Sequence, residues 1–237
     1  MRKHIWIWMA AAALALPVAA QRRAPAKPHA ASPSARPVPG LYMTFETSMG
    51  AIHCQLFPKA APIAVERITG LATGRLAYID PHTNKRTVGK PFYNGLTFHR
   101  VIPGFMIQGG DALGNGEGQP GGPGFPFKNE THPWLKFDQP GRLALANAGP
   151  DTNGSQFFIT EVPELRLDGG YTIFGQCRDL NVVKAIARVP RNPGNNRPLT
   201  PVIIRRVIVR RIPAAPAHAP AASRPRSPAA HAGPAGQ

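Results

Sequence analysis

The sequence predicts a mainly β domain, a closed antiparallel barrel capped by two helices. Apolar and polar residues alternate in many short segments, long Gly- and Pro-rich loops separate them, and only two segments have helical periodicity. A sandwich is the structural alternative. We favour the barrel because the last segment is strongly apolar and would otherwise form an exposed sheet edge.

The first predicted elements are a hairpin and a helix. Apolar residues occupy alternate positions in residues 41–46 and again in residues 52–56, with a Ser-Met-Gly turn between the two segments. This pattern is typical of an antiparallel hairpin with one buried face. A short helix should follow, because Pro62 suits a first helical turn and Gly74 suits a helix end.

The rest of the domain is predicted to contain further strands and a second helix. The strands are expected at residues 96–101, 104–108, 143–147, 156–160, 171–176 and 201–212. The helix is expected at residues 180–187, where apolar positions share one face. The glycine-rich stretch 114–124 lacks a phosphate-binding pattern and is interpreted as a mobile surface loop.

The N-terminus has the pattern of a signal peptide. Residues 1–20 combine a basic start, an apolar run over residues 5–16 and small residues before a cleavage point near Ala20. The mature chain should then begin at Gln21 and be periplasmic or secreted. An uncleaved membrane anchor is the alternative, but the apolar run is shorter than the approximately 20 residues that span a bilayer.

Two Ala- and Pro-rich segments flank the predicted domain of residues 41–212. Residues 21–40 and 213–237 have almost no large apolar side chains, so we interpret them as a linker and a disordered tail. The net charge of +16 lies mainly in these segments and in the last strand, since residues 41–204 hold 16 basic and 12 acidic residues. A weak anionic envelope surface fits this distribution better than nucleic acid, and a purely solubilising charge is the alternative.

The cysteine content leaves two interpretations open. Cys54 and Cys177 both lie in apolar, strand-like stretches, where a buried free thiol is common. The predicted compartment would also permit one disulfide bridge between them. The sequence alone does not give the distance and orientation between the two cysteines, which decide between these interpretations.

The usual signatures of hydrolases and metalloenzymes are missing. The sequence has no G-x-S-x-G elbow, no H-E-x-x-H and no His/Cys/Asp cluster with ligand spacing. We therefore expect no metal and no cofactor.

Two dense segments carry a resemblance to a known family. Residues 98–111 read FHRVIPGFMIQGGD, and residues 146–160 read ANAGPDTNGSQFFIT. Both resemble the signature stretches of the cyclophilins, and LDGGYTIFGQC at residues 167–177 resembles a later segment of that family. The similarity covers roughly residues 41–211. It implies an eight-stranded barrel with peptidyl-prolyl cis-trans isomerase activity, and the insertion at residues 80–93 looks like a bacterial variant.

The resemblance also implies roles for individual residues. Arg100 becomes the catalytic cation, and His99 a supporting residue. The walls of a proline-ring pocket are predicted to be Phe105, Met106, Phe158 and Leu167. Hydrogen bonds to the substrate backbone are predicted from Gln108, Asn147 and Gln156. Further substrate contacts are predicted for Ala146, Ala148 and Tyr171.

The sequence departs from the best-known cyclophilins at two positions. Arg166 stands where many members have tryptophan, and Tyr171 stands where many have histidine. The lost indole supplies a hydrogen-bond donor and a flat apolar face for cyclosporin, so its absence argues against binding of the drug. Isomerisation should persist, because Arg100 and the pocket are retained.

The residue chemistry supports this function independently. Rotation about an X-Pro bond crosses a barrier of roughly 18–20 kcal/mol, because amide resonance must be broken, and it needs neither nucleophile nor base. A guanidinium has rigidly directed donors that suit the twisted amide, and an apolar slot can hold the proline ring. We expect a monomeric isomerase acting on proline-containing peptides and unfolded exported proteins. The alternative is a binding module that holds such segments without turnover.

Overall fold

The computed structural model describes residues 38–214. The predicted signal peptide lies outside the described residues, as do most of the linker and most of the tail. These three predictions therefore remain predictions.

Within residues 38–214 the chain forms ten strands, two α-helices and one short 3-10 turn at Leu165–Leu167. The strands are β1 (Gly40–Thr47), β2 (Gly50–Leu56), β3 (Tyr78–Ile79), β4 (Arg86–Thr87), β5 (Phe98–Ile102), β6 (Met106–Gly109), β7 (Arg142–Leu145), β8 (Phe157–Thr160), β9 (Ile173–Cys177) and β10 (Ile204–Ile212). The helices are α1 (Pro62–Thr73) and α2 (Leu180–Ala187).

Eight strands form one antiparallel sheet that curls on itself in the order β10-β1-β2-β9-β7-β8-β6-β5. Its two edge strands meet at one end, where the Phe98 N–H donates to the Val202 carbonyl (3.0 Å) and the Ile204 N–H to the Leu96 carbonyl (2.7 Å). The predicted eight-stranded barrel is confirmed, with its edges joined over this short stretch. The small β3–β4 hairpin was not predicted, because two-residue strands show no period.

Strands β7 and β8 are buried on both faces, and this determines where a site can form. Inward-facing side chains such as Phe157 belong to the barrel core, where the Phe45 and Phe157 ring centroids are 4.7 Å apart. Outward-facing side chains of β6 to β9 form a second apolar cluster with a phenylalanine from a loop. Its buried members are Met106, Phe137, Ala144, Phe158 and Ile173.

Both helices contribute buried side chains to the barrel core. Helix α1 begins at Pro62, as predicted, and Gly74 ends it with a left-handed φ of 72°. No side chain at its N-cap closes the first turn. The Glu130 carboxylate does so from a distant loop, since it accepts from the N–H groups of Ile63 (3.0 Å) and Ala64 (2.8 Å).

The two cysteines form a disulfide. Cys54 on β2 and Cys177 on β9 are direct register partners in the antiparallel pair, and their sulfurs are bonded. Of the two interpretations left open by the sequence, the bridge is the one that the structure contains.

In the part of the chain that the structure describes, none of the helices has the length and apolar character that crossing a membrane requires.

Candidate active site

A β-bulge at His99 turns Arg100 toward the outer face of the barrel. Phe98 pairs with Gly109 of β6 but Arg100 pairs with Gln108, so β5 contains one extra residue between them. In a regular strand Arg100 would face inward like Phe98, because the side chains of residues i and i+2 lie on the same face. The bulge shifts that alternation, leaving Phe98 and His99 buried and Arg100 partly exposed.

Strand register places the cation next to an amide and an aromatic ring. Arg100 pairs with Gln108 across β5 and β6, Gln108 pairs with Phe158 across β6 and β8, and Phe158 pairs with Ala144 across β8 and β7. Directly opposed residues of an antiparallel sheet point to the same face. The pairing therefore puts a cation, an amide and an apolar ring in one row.

A chain of hydrogen bonds fixes this row. The Arg100 Nη1 donates to the Gln108 Oε1 (3.2 Å), and the Gln108 Nε2 donates to the Gln156 Oε1 (3.0 Å). The Gln156 Nε2 in turn donates to the Gly116 carbonyl (2.7 Å). Because each amide is both donor and acceptor, the orientation of Arg100 depends on Gln156, which contacts it only through Gln108.

An open cavity of about 150 Å³ lies over the row, and we call it the apolar cavity. Six of its nine lining residues are hydrophobic, and the Arg100 guanidinium and the amides of Gln108 and Asn147 complete the wall. The lining residues are Arg100, Phe105, Met106, Gln108, Ala146, Asn147, Phe158, Leu167 and Tyr171.

Neighbouring rings hold the Phe158 wall in place. Its ring stacks on Phe137, with centroids 5.7 Å apart, and meets the edge of Tyr171 at 5.4 Å. Tyr171, which also lines the cavity, thus packs against this ring. The packing makes the cavity largely preformed.

A buried carboxylate positions Phe105 in the β5–β6 turn. Glu161 is 3% exposed, and its Oε2 accepts from the Gly104 N–H (2.9 Å). Its other oxygen, Oε1, lies 2.6 Å from the Arg188 Nη1, so the buried charge is paired. The Glu161 N–H also donates to the Phe105 carbonyl (2.8 Å), which ties the turn to the end of β8.

The structure brings together most residues that the sequence predicts for the site, but three lie elsewhere. Gln156 is 3% exposed and lies behind Gln108, with its amide already engaged in the hydrogen-bond chain. Ala148 is exposed outside the cavity wall, where its N–H donates to the Thr152 Oγ1 (2.8 Å). His99 is buried beneath Arg100 rather than in the apolar cavity.

Burial changes the protonation of His99. The side chain is 7% exposed, and this desolvation lowers the pKa of His99 below its ordinary value of 6.5. Asp111 acts in the opposite direction, whereas the charges of Arg100 and Arg197 lower the pKa further. His99 is therefore a neutral imidazole at pH 7.

Sequence reasoning missed a second cavity, of about 210 Å³, which we call the polar cavity. It adjoins the apolar cavity, and the two share Arg100 and Gln108 as wall residues. Its remaining wall consists of His99, Gly114, Asn115, Gly116, Asn195 and Arg197. The last two come from a loop without apolar periodicity, so only the fold reveals their position.

Over residues 38–214 the structure contains no group of three or more His, Cys, Asp or Glu side chains placed to hold a metal ion.

The fold and the apolar cavity together define a peptidyl-prolyl isomerase. The family model described as cyclophilin type peptidyl-prolyl cis-trans isomerase/CLD matches residues 42–209, more than half of the chain. The chain belongs to this family of enzymes.

Relatives with this activity in their names span nearly the same domain. The chain is 49% identical over 172 residues to peptidyl-prolyl cis-trans isomerase B of Streptomyces anulatus, covering 71% of this chain and 96% of the relative. It is 47% identical over 169 residues to peptidyl-prolyl cis-trans isomerase A of Mycobacterium tuberculosis, covering 70% and 90%.

A solved structure supports the fold comparison. The crystal structure of a Cryptosporidium parvum cyclophilin type peptidyl-prolyl cis-trans isomerase in the presence of the dipeptide Ala-Pro superimposes with a TM-score of 0.62 at 31% identity. The match covers 71% of this chain and 98% of the solved one.

Proposed function

We propose that Arg100 is the catalytic residue of this isomerase and that the apolar cavity binds the proline ring of the substrate. The observation that carries the proposal is the cross-strand row in which Arg100, Gln108 and Phe158 lie side by side on one face of the sheet. It offers a fixed cation beside an apolar slot.

The proposed mechanism is preferential binding of the twisted amide. Amide resonance withdraws the proline nitrogen lone pair in the planar ground state, and rotation frees that lone pair. A guanidinium donor beside the ring can hydrogen-bond the freed lone pair or the rotating carbonyl oxygen. Because this bond is stronger in the half-rotated state than in either planar state, it lowers the barrier.

The cavity residues have a positioning role in this proposal. Phe105, Met106, Phe158 and Leu167 would hold the proline ring, while the acyl half of the substrate turns in the open part of the cavity. Gln108 and the backbone near Ala146 and Asn147 would bind the substrate main chain. Gln156 acts through Gln108, since its own amide is occupied by Gln108 and Gly116.

A non-catalytic module that only binds proline-containing segments is the competing function. The two differ in one observable, the rate of exchange between cis and trans isomers. NMR exchange spectroscopy of an Ala-Pro peptide measures that rate at substoichiometric protein. We expect exchange cross-peaks to grow with protein concentration. Line broadening from binding, with no added exchange, would favour the binding module.

We further propose that the protein is exported and assists the folding of exported proteins. The signal-like pattern of residues 1–20 supports export, as does the Cys54–Cys177 disulfide, because disulfides persist mainly in oxidising compartments. Fractionation of cells followed by N-terminal sequencing tests this. Recovery outside the cytoplasm with an N-terminus at Gln21 is expected, whereas an intact Met1 in the cytoplasm would refute export.

The flanking segments are proposed to be spacers that make at most weak contact with an anionic envelope surface. Deletion of residues 21–40 and 213–237 should leave peptide turnover within about twofold, because the apolar cavity is built entirely from residues 100–171. Loss of turnover in the deleted form would contradict this role.

A further inference from the structure

The polar cavity has an excess of positive charge. Two of its wall residues, Arg100 and Arg197, carry guanidinium groups, and none of its wall residues is acidic. Neither guanidinium has an ion-pair partner among the described residues. The Arg197 group extends across the cavity to the opposite loop, since a Cβ built on Gly114 would lie 3.5 Å from its Nη2.

His99 supplies a second, independent indication of a ligand. Its side chain is 7% exposed and forms part of the polar cavity wall. Neither Nδ1 nor Nε2 has a hydrogen-bond partner among the described residues. Buried polar groups in proteins are nearly always hydrogen-bonded, so two unpaired and enclosed nitrogens are unusual. The neutral imidazole can donate one N–H to an anion in the cavity once its ring turns toward it.

The carboxylates of Asp111 and Glu117 lie near this cavity, but neither forms an ion pair with these guanidinium groups, and the Glu117 Oε2 accepts from the Asn115 Nδ2 (3.3 Å). Asp111 is 1% exposed, and its oxygens accept from the backbone N–H groups of Asn115 (2.7 Å), Gly116 (2.9 Å) and Gly118. The Asp111 carboxylate therefore fixes the conformation of the loop that contains Asn115 and Gly116, which forms one wall of the polar cavity. A preformed wall reduces the entropy lost when a ligand binds.

The opposite wall is also fixed before any ligand arrives. The Val101 N–H donates to the Asn196 carbonyl (2.9 Å), which ties the loop to β5 immediately after Arg100. Within the loop, the Asn192 N–H donates to the Arg197 carbonyl (2.9 Å) and the Asn196 N–H to the Asn192 carbonyl (2.8 Å). These bonds hold the backbone of Arg197 beside the cavity.

We infer that the polar cavity is a subsite for a carboxylate of the substrate peptide, that of an Asp or Glu side chain close to the isomerised proline. Arg197 and His99 are its specificity-determining residues, and Arg100 belongs to both cavities. The inference deepens the isomerase function and depends on it. Because the cavities share a wall, a peptide bound in the apolar cavity passes within reach of the polar one.

Matched peptides test the inference with the mature chain. One series is acetylated and amidated, with Asp or Asn at each of the two positions on either side of an Ala-Pro unit. A second compares a free C-terminal carboxylate with its amide, which separates a side-chain source from a chain-end source. The readout is kcat/KM from NMR exchange, at low and at 0.5 M salt.

We expect Asp to exceed Asn by about fivefold at one position, a size typical of partly exposed charge pairs, and high salt to remove the preference. Arg197→Gln should reduce the Asp/Asn ratio to near one. Arg205→Gln should keep it, since Arg205 lies exposed on β10 outside both cavities. Unchanged melting temperatures would show that both variants fold.

Equal kcat/KM for all matched pairs would overturn the subsite, as would an Asp preference that survives Arg197→Gln. A preference confined to the free C-terminus would assign the cavity to chain ends and overturn the side-chain assignment. If wild type turned over none of the peptides, the isomerase function itself would fail. Failure of the isomerase function is thereby distinguished from failure of the subsite, which would leave all the peptides turned over at equal rates.

Discussion

The guanidinium carbon Cζ of Arg166 lies 4.6 Å from the centroid of the Phe105 ring, next to the apolar cavity. The Arg166 Nε also donates to the Glu164 Oε2 (2.8 Å), which orients the group. The cation thus covers an aromatic wall residue at the position where many cyclophilins have tryptophan.

We expect Arg166→Trp to create inhibition by cyclosporin. The indole would offer a neutral N–H donor on a flat apolar face, whereas the donors of the guanidinium are charged and its Nε is engaged by Glu164. The Arg166 side chain is 67% exposed, so the bulkier indole has room. Inhibition constants for wild type and variant, measured with one X-Pro peptide, should differ at least tenfold, or about 1.4 kcal/mol. Equal inhibition would show that the residue at 166 does not control drug binding.

Gln156→Leu should lower kcat more than it raises KM. The change removes the acceptor of Gln108 and the donor to the Gly116 carbonyl, and with them the support of Arg100. A lost hydrogen bond of about 1–1.5 kcal/mol corresponds to roughly a tenfold reduction in rate. Gln55→Leu on β2 is the matched control. An increase in KM alone would indicate that Gln156 binds substrate directly.

The protein should lose stability in acid partly through His99. Its pKa is lowered in the folded state, so the unfolded chain binds more protons as the pH falls below about 6.5. The stabilisation is complete above that pH and is lost as the pH falls toward the folded pKa, at no more than about 1.4 kcal/mol per pH unit. Urea unfolding between pH 7.5 and 5 should show a smaller loss for His99→Gln. Parallel curves for the two proteins would contradict this assignment.

Removal of the disulfide should destabilise the barrel without changing the site. The bridge closes a loop of 123 residues and links β2 to β9, which limits the freedom of the unfolded chain. The double variant Cys54→Ala, Cys177→Ala should lose about 2–5 kcal/mol in urea unfolding. Wild type treated with reductant is the control and should match it. An unchanged free energy of unfolding in both would exclude a stabilising role.

Much of the site could be predicted because seven of the nine residues that line the apolar cavity lie in two continuous segments. Arg100 to Gln108 and Ala146 to Phe158 each contain a turn or loop and a strand, and β6 and β8 are neighbours in the sheet. A local motif therefore predicts a spatial cluster. The periodicity of the first hairpin also predicted its strands, because only one face of each lies in the core.

The sequence could not supply features that depend on register or on distant loops. The bulge at His99 is visible only once β5 is paired with β6, and the disulfide only once β2 is paired with β9. Strand β8 shows no alternation, because both of its faces are buried. Arg197 lines the polar cavity from a loop whose sequence shows no apolar periodicity. Gln156 is buried behind Gln108 and does not line the apolar cavity, although the resemblance predicts that it contacts the substrate.

The rate of cis-trans exchange in the Arg100→Ala variant tests the account most directly. With a short X-Pro peptide at saturating concentration, kcat should fall about a hundredfold or more, as expected when an electrostatic donor to the transition state is removed. Arg205→Ala is the matched control and should retain the wild-type rate. Equal rates for wild type and Arg100→Ala would contradict the central claim that this guanidinium stabilises the half-rotated amide and so lowers the barrier to rotation.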